Sequence, residues 1–189
     1  MVGRLPNDSW GDSVNLRKKL TAGIFAGMLA TSSALVTAAP ASAYAYTGGK
    51  WSSSSIGVYM YPMSTKGTQS WTNARNNWTQ ATDVNFYAGA PGTNIALRET
   101  SNASVGWDGI AYTTTSGGYY QVPATGYLNT AFTNGYSYLT TTGVAAHELG
   151  HLVGLAHVNA AVLMNPTTPG RGSIYYVTTD EQAGVNRLY

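Results

Sequence analysis

The chain has 189 residues, no cysteine and a formal charge of +2. Without cysteine, neither a disulfide framework nor a thiolate metal site is available, and stability must rest on core packing and bound ions. Four of the ten basic and two of the eight acidic residues fall within residues 1–43, leaving six of each beyond them, so that remainder is neutral and lacks the basic footprint of a nucleic-acid or anionic-membrane binder.

Along the chain, Arg17-Lys18-Lys19 precedes an apolar stretch from Leu20 to Val36, diluted with Thr, Ser and Gly, and then Ala41-Ser42-Ala43. This order of charged, apolar and small-residue regions is that of a secretory signal with an A-x-A cleavage site. The apolar stretch is at the lower limit of spanning length, which favours cleavage over anchoring. The reading is a leader over 1–43 and one domain over 44–189, secreted to the extracellular space as a monomer with no stable membrane anchor after cleavage.

Ile56, Val58 and Met60 alternate with Gly57, Tyr59 and Tyr61, the period of a strand. Trp71, Ala74, Trp78 and Ala81 follow at helical spacing and predict a helix over 68–81 that buries one aromatic face. Strands are predicted over 84–87, 94–99 and 109–113, separated by turns such as Ala90-Pro91-Gly92-Thr93. Residues 113–143, rich in Thr, Gly, Tyr and Ser, read as loops around one short strand. A helix is predicted over 141–153. Thr179-Asp180-Glu181-Gln182 opens a last helix with a capping box and acidic residues at its positive end, and Val185, Leu188 and Tyr189 form its inner face.

All three histidines lie in His147-Glu148-Leu149-Gly150-His151-Leu152-Val153-Gly154-Leu155-Ala156-His157, which reads H-E-x-x-H-x-x-G-x-x-H. Positions i and i+4 share a helix face, so His147 and His151 offer ring nitrogens to one metal ion. His157 supplies a third ligand if the helix stops and the chain turns back, and Gly154 permits that turn. Zinc held by three neutral imidazoles keeps its charge and a free coordination position, and lowers the pKa of a bound water to about 7. Glu148, beside the ligands but outside the ligand set, is suited to accept the water's proton and pass it to a leaving amine, as general base and then acid.

Met164 follows seven residues after His157, as the Met-turn follows the extended histidine motif in metzincins. Val144-Ala145-Ala146 before the motif, Gly154-Leu155 at its bend and Met164-x-Pro166 resemble the matrixin branch of that family. Pro166 stands where astacins and serralysins carry a ligating tyrosine. Asn165 departs from the tyrosine usual in matrixins, so the details of that pocket wall are not carried over. Weaker resemblance extends to Gly49-Lys50-Trp51, to residues 78–86, and to Asp180 through Val185 with Leu188-Tyr189.

The resemblance implies an α+β, metzincin-like zincin fold: a twisted, mostly parallel sheet with an active-site helix, and a small C-terminal lower subdomain carrying the Met-turn and final helix. It also implies a catalytic domain over 44–189 that acts on protein or peptide substrates. In such enzymes the substrate pairs with an exposed edge strand, for which Gly109-Ile110-Ala111-Tyr112 is the candidate, an interior strand being the competing reading. One catalytic zinc is expected, because no histidine exists outside positions 147, 151 and 157 to build a second site. Asp83, Glu99 and Asp108 are candidate calcium ligands only, with solvated turn residues as the favoured reading. The function that follows is that of a secreted zinc endopeptidase. A zinc-binding or adhesive module without catalysis and a cell-wall amide hydrolase are the alternatives, and the intact Glu148 argues against the first.

Overall fold

The computed structural model describes residues 44–189, and the signal read at 1–43 lies outside them. After β1 (Ala45–Tyr46), the alternating segment forms β2 (Ser55–Met60), with Ile56 and Val58 buried. Helix α1 (Thr65–Ala81) begins three residues before the predicted start at 68, because the Ser64 hydroxyl accepts the Gly67 N–H at 3.0 Å. Trp71, Ala74 and Trp78 are fully buried, as their spacing implies.

Strands β3 (Asn85–Ala88), β4 (Ile95–Thr100) and β5 (Gly109–Tyr112) follow, within one residue of their predicted positions. The reading of residues 113–143 needs correction. Besides the small hairpin of β6 (Thr115–Ser116) and β7 (Tyr119–Tyr120), they contain the six-residue strand β8 (Ala124–Asn129) and the single turn α2 (Thr130–Thr133). β8 is interior, in a sheet of order β3-β2-β4-β8-β5. Its small residues disguised it. A Cβ at Gly126 would lie 3.0 to 3.1 Å from side-chain atoms of Trp71, Leu152 and Leu97, so the bulk that a core strand normally supplies comes from its neighbours.

The first four strands of that order run parallel, and β5 pairs antiparallel with β8, in the register Gly109 with Leu128 and Tyr112 with Thr125. Helix α3 (Tyr138–Leu152) packs against α1, β8 and β5. It starts three residues before the predicted boundary because the Ser137 hydroxyl accepts the Thr140 N–H at 3.1 Å. The chain then forms β9 (Leu155–Ala156), the short α4 (Thr168–Arg171) and α5 (Thr179–Leu188). The fold is thus α+β, with a mostly parallel five-stranded sheet. The final cap shifts by one residue: Thr178 is the N-cap, and Glu181, rather than Gln182, completes the box. Among the described residues no helix is long and apolar enough to cross a membrane.

Candidate metal centre

His147 and His151 lie one turn apart near the C-terminal end of α3, which is buried from Thr141 through Gly150. The helix ends at Leu152, and Gly154 takes φ +112°. A side chain there would be strained by the backbone, and its Cβ would fall 2.9 Å from the Gly49 carbonyl oxygen and 2.7 Å from Leu188 Cδ1. Glycine is therefore required twice over, for the turn and for the close approach.

The carbonyls left open at this helix end are taken by aromatic donors. Trp51 Nε1 donates to Leu152 O at 2.8 Å, Tyr120 OH to His151 O at 3.0 Å and Tyr189 OH to Val153 O at 3.3 Å. Beyond the bend, β9 pairs antiparallel with β1, and the Thr47 N–H donates to Gly154 O at 2.9 Å. Braced in this way, the chain delivers His157 beside the helix.

The three Nε2 atoms converge. His147 and His157 are 3.1 Å apart, His147 and His151 3.1 Å, and His151 and His157 3.0 Å. Three nitrogens about 2.05 Å from one zinc at tetrahedral angles would stand about 3.3 Å from each other, so the triangle fits zinc within a few tenths of an ångström. The far sides of two rings fix the tautomer. Nδ1 of His147 lies 2.8 Å from Leu163 O, and Nδ1 of His151 lies 2.8 Å from Leu155 O. Each Nδ1 carries the proton, which leaves Nε2 a bare lone pair aimed at the common point. Burial holds His147 and His151 below the usual imidazole range, His151 at about 4, and partial desolvation with the nearby Arg171 lowers the more exposed His157, which favours the neutral, ligating form.

Glu148 is 5% exposed, and no hydrogen bond from another described residue ties its carboxylate down. Burial pushes its carboxyl up to about 8, with Arg171 opposing and Asp108 adding to the shift. Its side chain lies under the start of β5: a Cβ at Gly109 would meet Glu148 Oε1 at 2.7 Å and Val144 Cγ1 at 2.6 Å. Glu148 and the histidines line a cleft of about 740 Å³ together with Gly109, Ile110 and Ala111 of β5 and with Pro166. β5 is an edge strand, paired on one side only. Tyr112, at its end, is 55% exposed and does not line the cleft.

Met164 is 1% exposed and packs beneath the helix, where a Cβ at Gly150 would lie 2.4 Å from its sulfur. That contact explains the glycine inside the motif. Glu181, read from the sequence as an acidic residue at the positive end of the last helix, is fully buried. Its Oε1 accepts the Met164 N–H at 3.0 Å, and its Oε2 accepts the Thr178 N–H at 3.0 Å and the Thr178 hydroxyl. The cap of α5 and the turn holding the His147 ring partner, Leu163, are thus one structure. Glu181→Ala should lower stability by about 2–4 kcal/mol, since it removes a cap and leaves a buried N–H unpaired. A thermal melt should show Tm falling by roughly 5–15 °C, and an unchanged Tm would contradict this coupling.

The three carboxylates considered for calcium are dispersed. Glu99 accepts from the Ser64 N–H and hydroxyl at 2.7 Å each, Asp83 is exposed after the end of α1, and Asp108 lies in the cleft. Among the described residues, the group of three or more side chains close enough to share an ion is His147, His151 and His157.

The Matrixin family model matches residues 54–189. A search of curated proteins returns no match. Among solved structures, that of myroilysin is similar at 17% identity and a TM-score of 0.44, over 60% of this chain and 54% of that one. With a family match over most of its length and three histidines positioned to bind a metal ion, the chain belongs to the matrixin family of zinc metallopeptidases.

Proposed function

We propose that this matrixin is a secreted zinc endopeptidase that hydrolyses protein or peptide substrates, with His147, His151 and His157 as zinc ligands and Glu148 as general base and acid. The observation that carries the proposal is the juxtaposition of three converging Nε2 atoms with a buried, unpaired carboxylate in a cleft bordered by an edge strand. Zinc bound there supplies Lewis-acid polarisation of the scissile carbonyl and lowers the pKa of the attacking water.

The remaining chemistry belongs to the chain. The Glu148 carboxylate takes the water's proton and returns it to the leaving amine. Leu163 and Leu155 carbonyls hold the His147 and His151 rings in register. Gly109, Ile110 and Ala111 offer backbone groups on the unpaired side of β5, where an extended peptide adds as another strand. Gly154, Met164 and Pro166 shape the bend, the floor and the wall. Secretion rests on the signal at 1–43, with cleavage after Ala43. Terminal sequencing of protein from culture supernatant should read Tyr44-Ala45-Tyr46, and a product retaining residues 20–36 in a membrane would overturn it.

Gly109 supplies a prediction of its own. An added Cβ would collide with Glu148 Oε1 and Val144 Cγ1, so Gly109→Ala should displace the base and cut kcat by about 10–100-fold while zinc content stays at the wild-type level. Turnover near wild type would mean that Glu148 is not held against β5.

Casein and purified cell wall, offered side by side to the zinc-loaded protein, test the proposal against its alternatives. Peptide bonds cut in casein support the endopeptidase. Release of cell-wall peptides alone indicates the amide hydrolase, and no hydrolysis of either indicates a binding module.

A further inference from the structure

Arg171 is 4% exposed and lines the cleft near the metal centre, yet among the described residues no carboxylate stands within ion-pair distance of it. Its Nη1 donates to Asn165 O at 3.1 Å, and its Nη2 donates to the Thr168 hydroxyl oxygen. That hydroxyl in turn donates to Asp108 Oδ2 at 2.5 Å, across 60 residues of sequence, and Tyr136 OH donates to the same oxygen at 3.2 Å. The buried cation is therefore answered by a carboxylate through one threonine hydroxyl. Hydrogen bonds of this charge-assisted kind are stronger than neutral ones, and leaving either end unpaired is costly.

The two ends of this relay belong to two segments, distant in sequence, that both line the cleft. Asp108 immediately precedes β5 and is firmly seated: its carbonyl accepts the Asn129 N–H at 2.8 Å, and the fully buried Asn129 donates from Nδ2 to Trp107 O at 3.0 Å and Asn102 O at 2.8 Å. Thr168 and Arg171 belong to the segment after the Met-turn, which supplies Pro166 through Pro169 to the cleft lining. This segment is largely exposed and built on its own turn contacts, such as Gly170 N–H to Thr167 Oγ1 at 3.1 Å and Thr167 N–H to Asn165 Oδ1 at 3.1 Å. Among the described residues, it hydrogen-bonds to the β5 side of the cleft through Thr168.

We infer that Thr168 and Asp108 form a latch joining the two walls of the cleft, and that this latch limits the size of the substrate side chain accepted on that side of the scissile bond. They are specificity-determining positioning residues: they act through the wall they hold, and the bond-breaking groups stand apart from them. The inference rests on the endopeptidase reading for its substrate, but the latch itself has a readout that needs no turnover.

The test compares zinc-loaded wild type with Thr168→Val, which keeps the shape and loses the hydroxyl, with Thr168→Ser, which keeps the hydroxyl, and with Asp108→Asn, which removes the charge. A peptide library gives the cut-site profile, steady-state kinetics gives KM and kcat, and amide hydrogen exchange reports residues 165–174. Thr168→Val should shift preference toward bulkier residues at one position beside the cut, raise KM for the wild-type peptide about 3–10-fold with kcat little changed, and speed exchange in 165–174 but not in α1. Thr168→Ser should restore all three. A Thr168→Val protein with the wild-type profile, KM and exchange overturns the latch, and so does one in which exchange rises equally throughout the molecule. If Thr168→Val does not fold, Asp108→Asn carries the same comparison. Absence of cleavage by the wild type would instead strike the endopeptidase reading, with the exchange experiment still deciding the latch.

Discussion

Glu148→Ala should fold, retain its zinc and lose about 10²–10⁴-fold in turnover, the range general acid–base groups supply. The separation of metal content from rate is the point of the experiment. The carboxylate is buried, makes no hydrogen bond to another described residue and is not one of the three converging ligand groups, so its removal takes away a proton carrier and leaves the metal cage intact. Truncating it also vacates space beneath Gly109 without exposing an unpaired partner, so the melt should stay close to wild type. A variant that kept more than about a tenth of wild-type turnover would show that another group moves the proton.

His157→Ala should have the opposite profile, losing zinc and activity together while the sheet and its two helices stay folded. His157 is solvent-exposed and lies beyond the bend at Gly154, where its ring meets those of the other two histidines. Removing it leaves two of the three protein ligands, and zinc affinity should fall by at least about 100-fold. Competition with a chromophoric chelator measures that loss, and circular dichroism checks the fold. Wild-type zinc affinity in this variant would remove His157 from the ligand set. His147→Ala differs, because that side chain is 2% exposed and holds the Leu163 carbonyl, so it should cost stability as well as metal.

What was legible in the sequence had a local signature. The ligand helix follows from four-residue spacing, and the return of His157 follows from one glycine whose positive φ is found as expected. The aromatic face of α1 shows in the spacing of Trp71, Ala74 and Trp78, all fully buried. What escaped depends on partners distant along the chain. β8 carries alanine, threonine and glycine because Trp71 and Leu152 occupy the volume its own side chains would fill, so its apolar pattern is faint. Glu181 shows the pattern of a helix cap and is one, yet its other oxygen reaches Met164, seventeen residues away, and no spacing rule announces that. The Asp108–Thr168 contact joins two ordinary turn residues, and nothing in the glycine- and proline-containing stretch around Arg171 signals that the fold buries it.

Metal content and peptide cleavage, measured on the same extensively dialysed protein, decide whether a single zinc at the three histidines drives hydrolysis. One tightly held zinc per mature chain is expected, with cleavage that disappears when a chelator removes it and recovers on return of one equivalent. Cleavage that persists in metal-free protein, or two tightly bound zinc ions per chain, would contradict this.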